Sequence, residues 1–151
     1  EQPKRRRNLR TAGLVAVVSR HSGKVLAGAG PAGTKVLTAE PAKGDPTQQW
    51  RAAPAGDGWF HLEQPKTGLV VAVTGRFDGA EAVLAARAAG ADRQLFKAVA
   101  VPAANGVKLV NKGGDGRVLG IDNRRKDAGA RVLLWTDNGG SAEWFALVPL
   151  P

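Results

Sequence analysis

A threefold internal repeat runs through the 151 residues of this chain. Each copy opens with a glycine that precedes an apolar run, and these glycines lie 45 and 48 residues apart, at Gly23, Gly68 and Gly116. A second apolar run follows in every copy, at residues 35–38, 82–85 and 131–134. A third motif ends in an aromatic residue, at residues 48–50, 94–96 and 142–144. Motifs that recur in one order at a nearly constant period indicate one structural unit used three times.

Each motif has the composition of a short β-strand, because Val, Leu and aromatic residues are bounded by Gly, Asp and Asn. A fourth run in each copy lies at residues 14–18, 59–62 and 107–110. Turn sequences such as Asp57-Gly58 and Asn105-Gly106 favour tight hairpins, since these residues tolerate positive φ. We therefore predict an all-β fold, a β-trefoil in which three four-stranded repeats share one core around a pseudo-threefold axis.

The repeat also divides the chain. We expect a basic N-terminal tail at residues 1–12 and the β-trefoil at residues 13–151, with repeats of about 13–57, 58–104 and 105–151. One segment conflicts with this division, because residues 81–100 are rich in Ala, Leu, Arg and Lys, which favour helix. The repeat nevertheless places strands around Val83 and Phe96, so we predict strands there.

Several of these motifs resemble those of the ricin B-type (R-type) lectins. Gln48-Gln49-Trp50 matches their Gln-x-Trp signature, and Ser22-Gly23-Lys24 with Leu26 matches the opening that precedes it. In the third repeat, residues 131–135 are similar to the aromatic-ended strand beside a sugar pocket in that family. The resemblance covers residues 13–149. It implies a β-trefoil that acts as a non-catalytic carbohydrate-binding module with a carbohydrate or glycan as its partner.

The aromatic residue of the Gln-x-Trp motif is expected to belong to the core rather than to a binding site. Large aromatic side chains bury much apolar area, and a trefoil has one central space where three of them can meet. We therefore predict that Trp50, Phe96 and Trp144 pack together at the centre.

Sugar binding needs an aromatic ring for the apolar face of a pyranose and polar side chains for its hydroxyls. In the family pattern a carboxylate follows the Leu of the first motif, an aromatic ends the second, and an Asn precedes the Gln of the third. The first two repeats match at none of these positions, which are Ala27, Ala39 and Thr47, then Ala72, Ala86 and Arg93. The third matches only in the aromatic, with Gly120, Trp135 and Ser141. The resemblance thus implies at most one intact pocket.

We predict that this pocket is rebuilt around Trp135. Two Asp-Asn pairs lie near it in the sequence, and their side chains can hydrogen-bond sugar hydroxyls. The candidate carbohydrate-binding residues are Asp122, Asn123, Trp135, Asp137 and Asn138. The competing interpretation is that Trp135 is an ordinary half-buried strand residue and that the Asp-Asn pairs only form turns.

The formal charge of +9 leaves other partners open. Basic residues cluster at Lys4–Arg10 and at Arg124–Lys126, the second cluster beside several aspartates. They are either solvated and locally paired or a site for an acidic glycan or another polyanion. A further alternative is a protein-interaction or inhibitor scaffold with degenerate sugar pockets. The mild charge of the body does not favour nucleic acid.

The sequence predicts a non-enzyme that needs no cofactor and no metal. No His, Cys and carboxylate cluster has the spacing of metal ligands, and His21 beside Ser22 has the character of a turn rather than of a catalytic pair. The apolar runs are strand-sized, so no membrane span is expected. The sequence has no cysteine, so disulfides give no indication of the compartment. An extracellular (secreted) location is implied only by the resemblance to the lectins.

Overall fold

The computed structural model describes residues 13–151, and within them it contains twelve β-strands, short 3₁₀ turns and no α-helix. The all-β prediction is therefore confirmed. The predicted basic tail at residues 1–12 lies outside the described residues. The strands are β1 (Leu14–Ser19), β2 (Val25–Ala27), β3 (Leu37–Ala39), β4 (Trp50–Gly56), β5 (Trp59–Glu63), β6 (Val70–Val73), β7 (Ala82–Ala85), β8 (Leu95–Val101), β9 (Gly106–Asn111), β10 (Val118–Ile121), β11 (Val132–Trp135) and β12 (Phe145–Pro149).

Six strands close into a barrel. Strand β1 pairs with β12 and β4, β5 pairs with β4 and β8, and β9 pairs with β8 and β12, all antiparallel. The other six strands form three hairpins, β2–β3, β6–β7 and β10–β11. A ring of six strands with three hairpins across one end is the β-trefoil that the repeat predicts.

The three hairpins are joined to one another by the same hydrogen bond, used three times. Gly33, Gly79 and Gly129 each donate a backbone N–H to a carbonyl of the neighbouring repeat, at 2.7–2.8 Å. All three glycines have φ between 87° and 97°. A side chain would be strained in that conformation, so each turn depends on glycine. These bonds are the most direct sign of the pseudo-threefold axis.

Two turns carry the chain from one repeat to the next. Asp57 turns it between β4 and β5, and Asn105 turns it between β8 and β9, with φ of 57° and 51°. Asp and Asn occupy this left-handed region more readily than other side chains. We propose that the repeats are bounded at these turns, as residues 13–57, 58–104 and 105–151.

The pairing of the hairpins corrects one detail of the sequence alignment. Ala39, Ala85 and Trp135 occupy equivalent positions, opposite Val25, Val70 and Val118. Matching the valines at positions 36 and 83 in the sequence predicts Ala86 there, which is one residue too late. In the pleated strand the buried residue of the second repeat is the smaller Ala82, and Val83 lies on the opposite face.

The core contains two of the three predicted aromatics. Trp50 and Phe96 are fully buried, whereas Trp144 is half-buried and its place is taken by the fully buried Phe145. The prediction for Trp144 was wrong by one residue. In each repeat a 3₁₀ turn ends two residues before the central aromatic, and in the third repeat that turn ends at Glu143.

Strand structure prevails over helix propensity between residues 81 and 100. This segment forms β7 and β8, as predicted. Ala82 and Leu84 of β7 and Phe96 of β8 bury their side chains in the common core. The gain from this burial outweighs the small intrinsic preference of Ala, Leu and Arg for helix.

Candidate functional site

A pocket of about 560 Å³ opens between the end of β10 and the loop that follows β11. Trp135, the last residue of β11, lies at this pocket with 42% of its surface exposed. The lining residues are Gly120, Ile121, Asp122, Asn123, Arg124, Leu133, Trp135, Asn138, Gly140, Ala142 and Glu143. All of them belong to the third repeat.

Four of the five predicted site residues line this pocket, and one does not. Asp122, Asn123, Trp135 and Asn138 are brought together although they lie up to 16 positions apart in the chain. Asp137 is absent from the lining. Its carboxylate accepts hydrogen bonds from Lys108 Nζ and from the backbone N–H of Gly139, and the bond from Lys108 holds the pKa of Asp137 below its usual range.

The second repeat holds Trp135 in place. Oδ1 of Asp78 accepts hydrogen bonds from the backbone N–H and the hydroxyl of Thr136, at 2.8 and 2.9 Å, and from Nε of Arg117 at 2.9 Å. The Thr136 hydroxyl and then Arg117 lower the pKa of Asp78. A Cβ on Gly79 would lie 3.9 Å from Cζ3 of Trp135, so the ring rests beside that glycine. The backbone after Trp135 is therefore held by Asp78, and its ring lies against Gly79.

Asp122 has one oxygen committed to a neighbouring cation. Its Oδ2 accepts hydrogen bonds from Nε and Nη2 of Arg131, at 3.1 and 2.9 Å. Arg131 also contacts Glu81, which in turn pairs with Lys35. This chain of ion pairs joins the three repeats and fixes the start of the loop that carries Asn123.

His21, which the sequence analysis treated as a turn residue, joins the two walls of the pocket. One ring nitrogen, Nε2, is 2.9 Å from the carbonyl oxygen of Arg124, and the other, Nδ1, is 2.8 Å from Oγ of Ser141. A carbonyl oxygen only accepts, so Nε2 donates, and in the neutral ring Nδ1 accepts from the serine hydroxyl. Only the tertiary structure brings these residues together, across 120 positions of sequence.

Glu143 is the second residue that the sequence analysis missed. It ends a 3₁₀ turn, lies in the pocket lining and is only 4% exposed. One carboxylate oxygen, Oε1, accepts the backbone N–H of Asn138 at 3.0 Å. Burial raises the pKa of Glu143, and the charge of Asp137 adds to this, while the Asn138 amide opposes it. Alignment of this turn with Gln48 and Gln94 would have revealed it.

Comparison with known proteins decides the family. Residues 7–85, just over half of the chain, match the family model described as ricin-type beta-trefoil lectin domain-like. The chain belongs to the ricin-type β-trefoil lectin family. A search of curated proteins found no match.

Solved structures agree with this lectin-type fold. The designed 3-fold symmetric protein ThreeFoil is 30% identical, with a TM-score of 0.84 over 91% of this chain and 99% of its own. The C-half of the earthworm R-type lectin, in complex with GalNAc, is 18% identical, with a TM-score of 0.74 over 91% and 99% of the two chains. The exo-beta-1,3-galactanase 1,3Gal43A from Clostridium thermocellum is 20% identical, with a TM-score of 0.81, but this chain covers only 30% of it.

The corresponding positions of the other two repeats differ from the pocket of this lectin-type domain. Where the third repeat has Trp135, the first has Ala39 and the second has Ala85. The second repeat retains a cleft of about 420 Å³, with Arg76 and Arg93 among its lining residues and no aromatic side chain. A pyranose would find no stacking surface there.

Residues 13–151 contain no group of three or more His, Cys, Asp or Glu side chains that could hold a metal ion. In the same residues no helix has the length and apolar character needed to cross a membrane.

Proposed function

We propose that this lectin-type domain is a non-catalytic carbohydrate-binding module with one sugar pocket, in its third repeat. Trp135 stacks against the apolar face of a pyranose. Asp122, Asn123 and Asn138 hydrogen-bond its hydroxyls, and Asp137 holds the loop that carries Asn138 against Lys108.

The observation that carries this proposal is a large exposed tryptophan at a pocket lined with polar side chains. Asp78 holds the backbone of Thr136, directly after Trp135, and the indole lies beside Gly79, so little conformational entropy is lost when a ligand covers the ring. The surrounding carboxylates and amides accept and donate as sugar hydroxyls require. An aromatic face with a few converging polar groups is the usual composition of a small-molecule site.

The family and its relatives support a ligand of this class. The earthworm lectin that shares the fold is described as a complex with GalNAc, which makes galactose-type sugars the first ligands to test. We also propose an extracellular location for this chain, because it belongs to a family of glycan-associated lectins.

The geometry of the His21–Ser141 pair supports a non-catalytic role. His21 contacts Ser141, but its other nitrogen donates to the carbonyl of Arg124 rather than to a carboxylate. A carboxylate in that place orients the imidazole and stabilises its charged form in serine hydrolases. The pair therefore ties loops together instead of activating a nucleophile.

Replacement of Trp135 tests the pocket directly. A glycan array and titration with the best monosaccharide should show binding by the wild type and a loss of tenfold or more, roughly 1.4 kcal/mol, in Trp135→Ala. Trp135→Phe keeps a stacking ring and should retain part of the affinity. The matched control is Trp59→Ala, which removes a half-buried tryptophan that lies outside the pocket and contacts Lys97.

Three outcomes would contradict the proposal. If the wild type binds no glycan and instead retains a protein partner, the interaction-scaffold hypothesis is favoured. If binding falls steeply with salt and is unaffected by Trp135→Ala, the polyanion hypothesis is favoured. If a glycan binds equally well to Trp135→Ala, the pocket lies elsewhere.

A further inference from the structure

The glutamines of the first two repeats hold the loop before them through both ends of their amide. Oε1 of Gln48 accepts the backbone N–H of Ala42 at 2.9 Å, and its Nε2 donates to the carbonyl of Glu40 at 2.8 Å. Gln94 makes the same two bonds in its own repeat, both at 2.9 Å. Each amide thereby makes one hydrogen bond through its oxygen and one through its nitrogen, both to the backbone of its own loop.

Glu143 occupies the equivalent position in the third repeat but holds its loop through one bond. Oε1 accepts the N–H of Asn138, as the glutamines do with their loops. An ionised carboxylate has no hydrogen to donate, so the second bond of Gln48 and Gln94 cannot be made. The exchange of an amide for a carboxylate leaves acceptor capacity at the pocket.

The side chain of Glu143 also passes over the position where the family pattern places its acid. That position is Gly120, and a Cβ built there would lie 3.2 Å from Cγ of Glu143. The absence of a side chain at Gly120 makes room for Glu143. Strand β10 thus lacks the family's carboxylate at Gly120, and the carboxylate of Glu143, from the 3₁₀ turn, lies near that position.

We propose that Glu143 is the ligand-binding carboxylate of this pocket, taking over the role of the acid absent at Gly120 and accepting hydrogen bonds from two adjacent hydroxyls of a neutral pyranose. This inference rests on the proposed function. It names a residue outside the Asp-Asn pairs and specifies the ligand class as uncharged sugars with a free vicinal diol.

The charges around the pocket support this role. Asp122 is paired with Arg131 and Asp137 with Lys108, whereas among the described residues no cation pairs with Glu143. A buried carboxylate without a cation is unfavourable until hydrogen-bond donors reach it, and sugar hydroxyls are such donors. Because Glu143 is negatively charged and no cation among the described residues offsets it, Glu143 should repel the carboxylate of an acidic sugar.

The substitution Glu143→Gln separates the ligand role from a structural one. It restores the residue of the other two repeats, so the variant should fold and melt at or above the wild-type temperature. We expect its affinity to fall tenfold or more for the tightest ligand among galactose, glucose, mannose, N-acetylgalactosamine and N-acetylglucosamine. Galacturonic acid should bind the wild type more weakly than galactose does.

A pH series adds a measurement that a structural role would not change. Wild-type affinity should fall as pH is lowered through the raised pKa of Glu143, because a protonated carboxyl accepts fewer hydrogen bonds. The weaker binding of Glu143→Gln keeps Asp122 and His21 and should depend less steeply on pH over the same range. If Trp135→Ala abolishes binding and Glu143→Gln binds as the wild type does, this inference fails and the proposed pocket stands. If both variants bind normally, or the wild type binds no sugar, both fail.

Discussion

His61 is a buried polar residue in the interior of strand β5. It is 5% exposed, and neither ring nitrogen has a hydrogen-bond partner within residues 13–151. Burial, and then the charge of Arg87, lower its pKa from the usual value of 6.5, more than the backbone of Ala88 and the charge of Glu63 raise it. The folded protein therefore keeps this imidazole neutral at a pH where the unfolded chain takes up a proton.

This difference predicts that His61 destabilises the fold in mild acid. Above pH 6.5 the ring is neutral in both states, and as pH falls below 6.5 the unfolded state binds more protons, so the free energy of unfolding decreases. Between pH 7.5 and pH 5.5 the free energy of unfolding, measured with urea, should fall by about 1 kcal/mol less in His61→Leu than in the wild type. Equal losses in the two proteins would mean that the ring is protonated normally in the fold.

At the scale of elements, the pocket depends on contacts between repeats rather than within one hairpin. Strand β11 ends at Trp135, and the residue after it is held by Asp78 from the loop before β7. The opposite walls are joined by His21, from the turn after β1. Three repeats therefore contribute to the shape of a pocket whose lining comes from one.

Removal of the Asp78 carboxylate should loosen Trp135 without unfolding the domain. We expect Asp78→Ala to weaken sugar binding several-fold, because its four hydrogen bonds to Thr136 and Arg117 are lost, while the melting temperature changes little since Asp78 is exposed. Asp127→Ala is the matched control: it removes an exposed bidentate pair with Arg125 in the third repeat. Titration and thermal melting of both variants test this, and an equal effect on binding would contradict it.

At the scale of the whole molecule, the barrel is closed by strands from opposite ends of the chain. Strand β1 pairs with β12 from Val15 opposite Pro149 to Ser19 opposite Phe145. Phe145 is also the core aromatic of the third repeat, equivalent to Trp50 and Phe96 in the other two. Closure of the ring and completion of the core therefore depend on the same strand.

Phe145 should consequently matter more for stability than its larger neighbour Trp144. Phe145→Ala removes a fully buried ring and should lower the free energy of unfolding by roughly 3–5 kcal/mol. Trp144→Ala removes a half-buried side chain and should cost less than half as much. Urea unfolding of the two variants provides the comparison, and a larger loss for Trp144→Ala would restore the original assignment of the core.

The sequence by itself determined the architecture and predicted the repeat in which we propose the sugar pocket. Three copies of four short apolar runs predicted the β-trefoil. At the end of the second run the third copy has Trp135 where the other two copies have alanines, and this difference indicated the third repeat. These features are local: composition, turn residues and period can be read along the chain because strand-forming runs and tight turns depend on neighbouring residues.

Only the tertiary structure decided the register and the remaining parts of the pocket. A shift of one residue moves a strand side chain to the opposite face, and motif identity alone did not distinguish Phe145 from Trp144 or Ala82 from Val83. The equivalence of Glu143 with Gln48 follows from the 3₁₀ turn that each residue ends, and these turns are features of the structure. His21 meets the pocket through closure of the barrel, and such contacts between distant parts of the chain are set by packing rather than by local sequence.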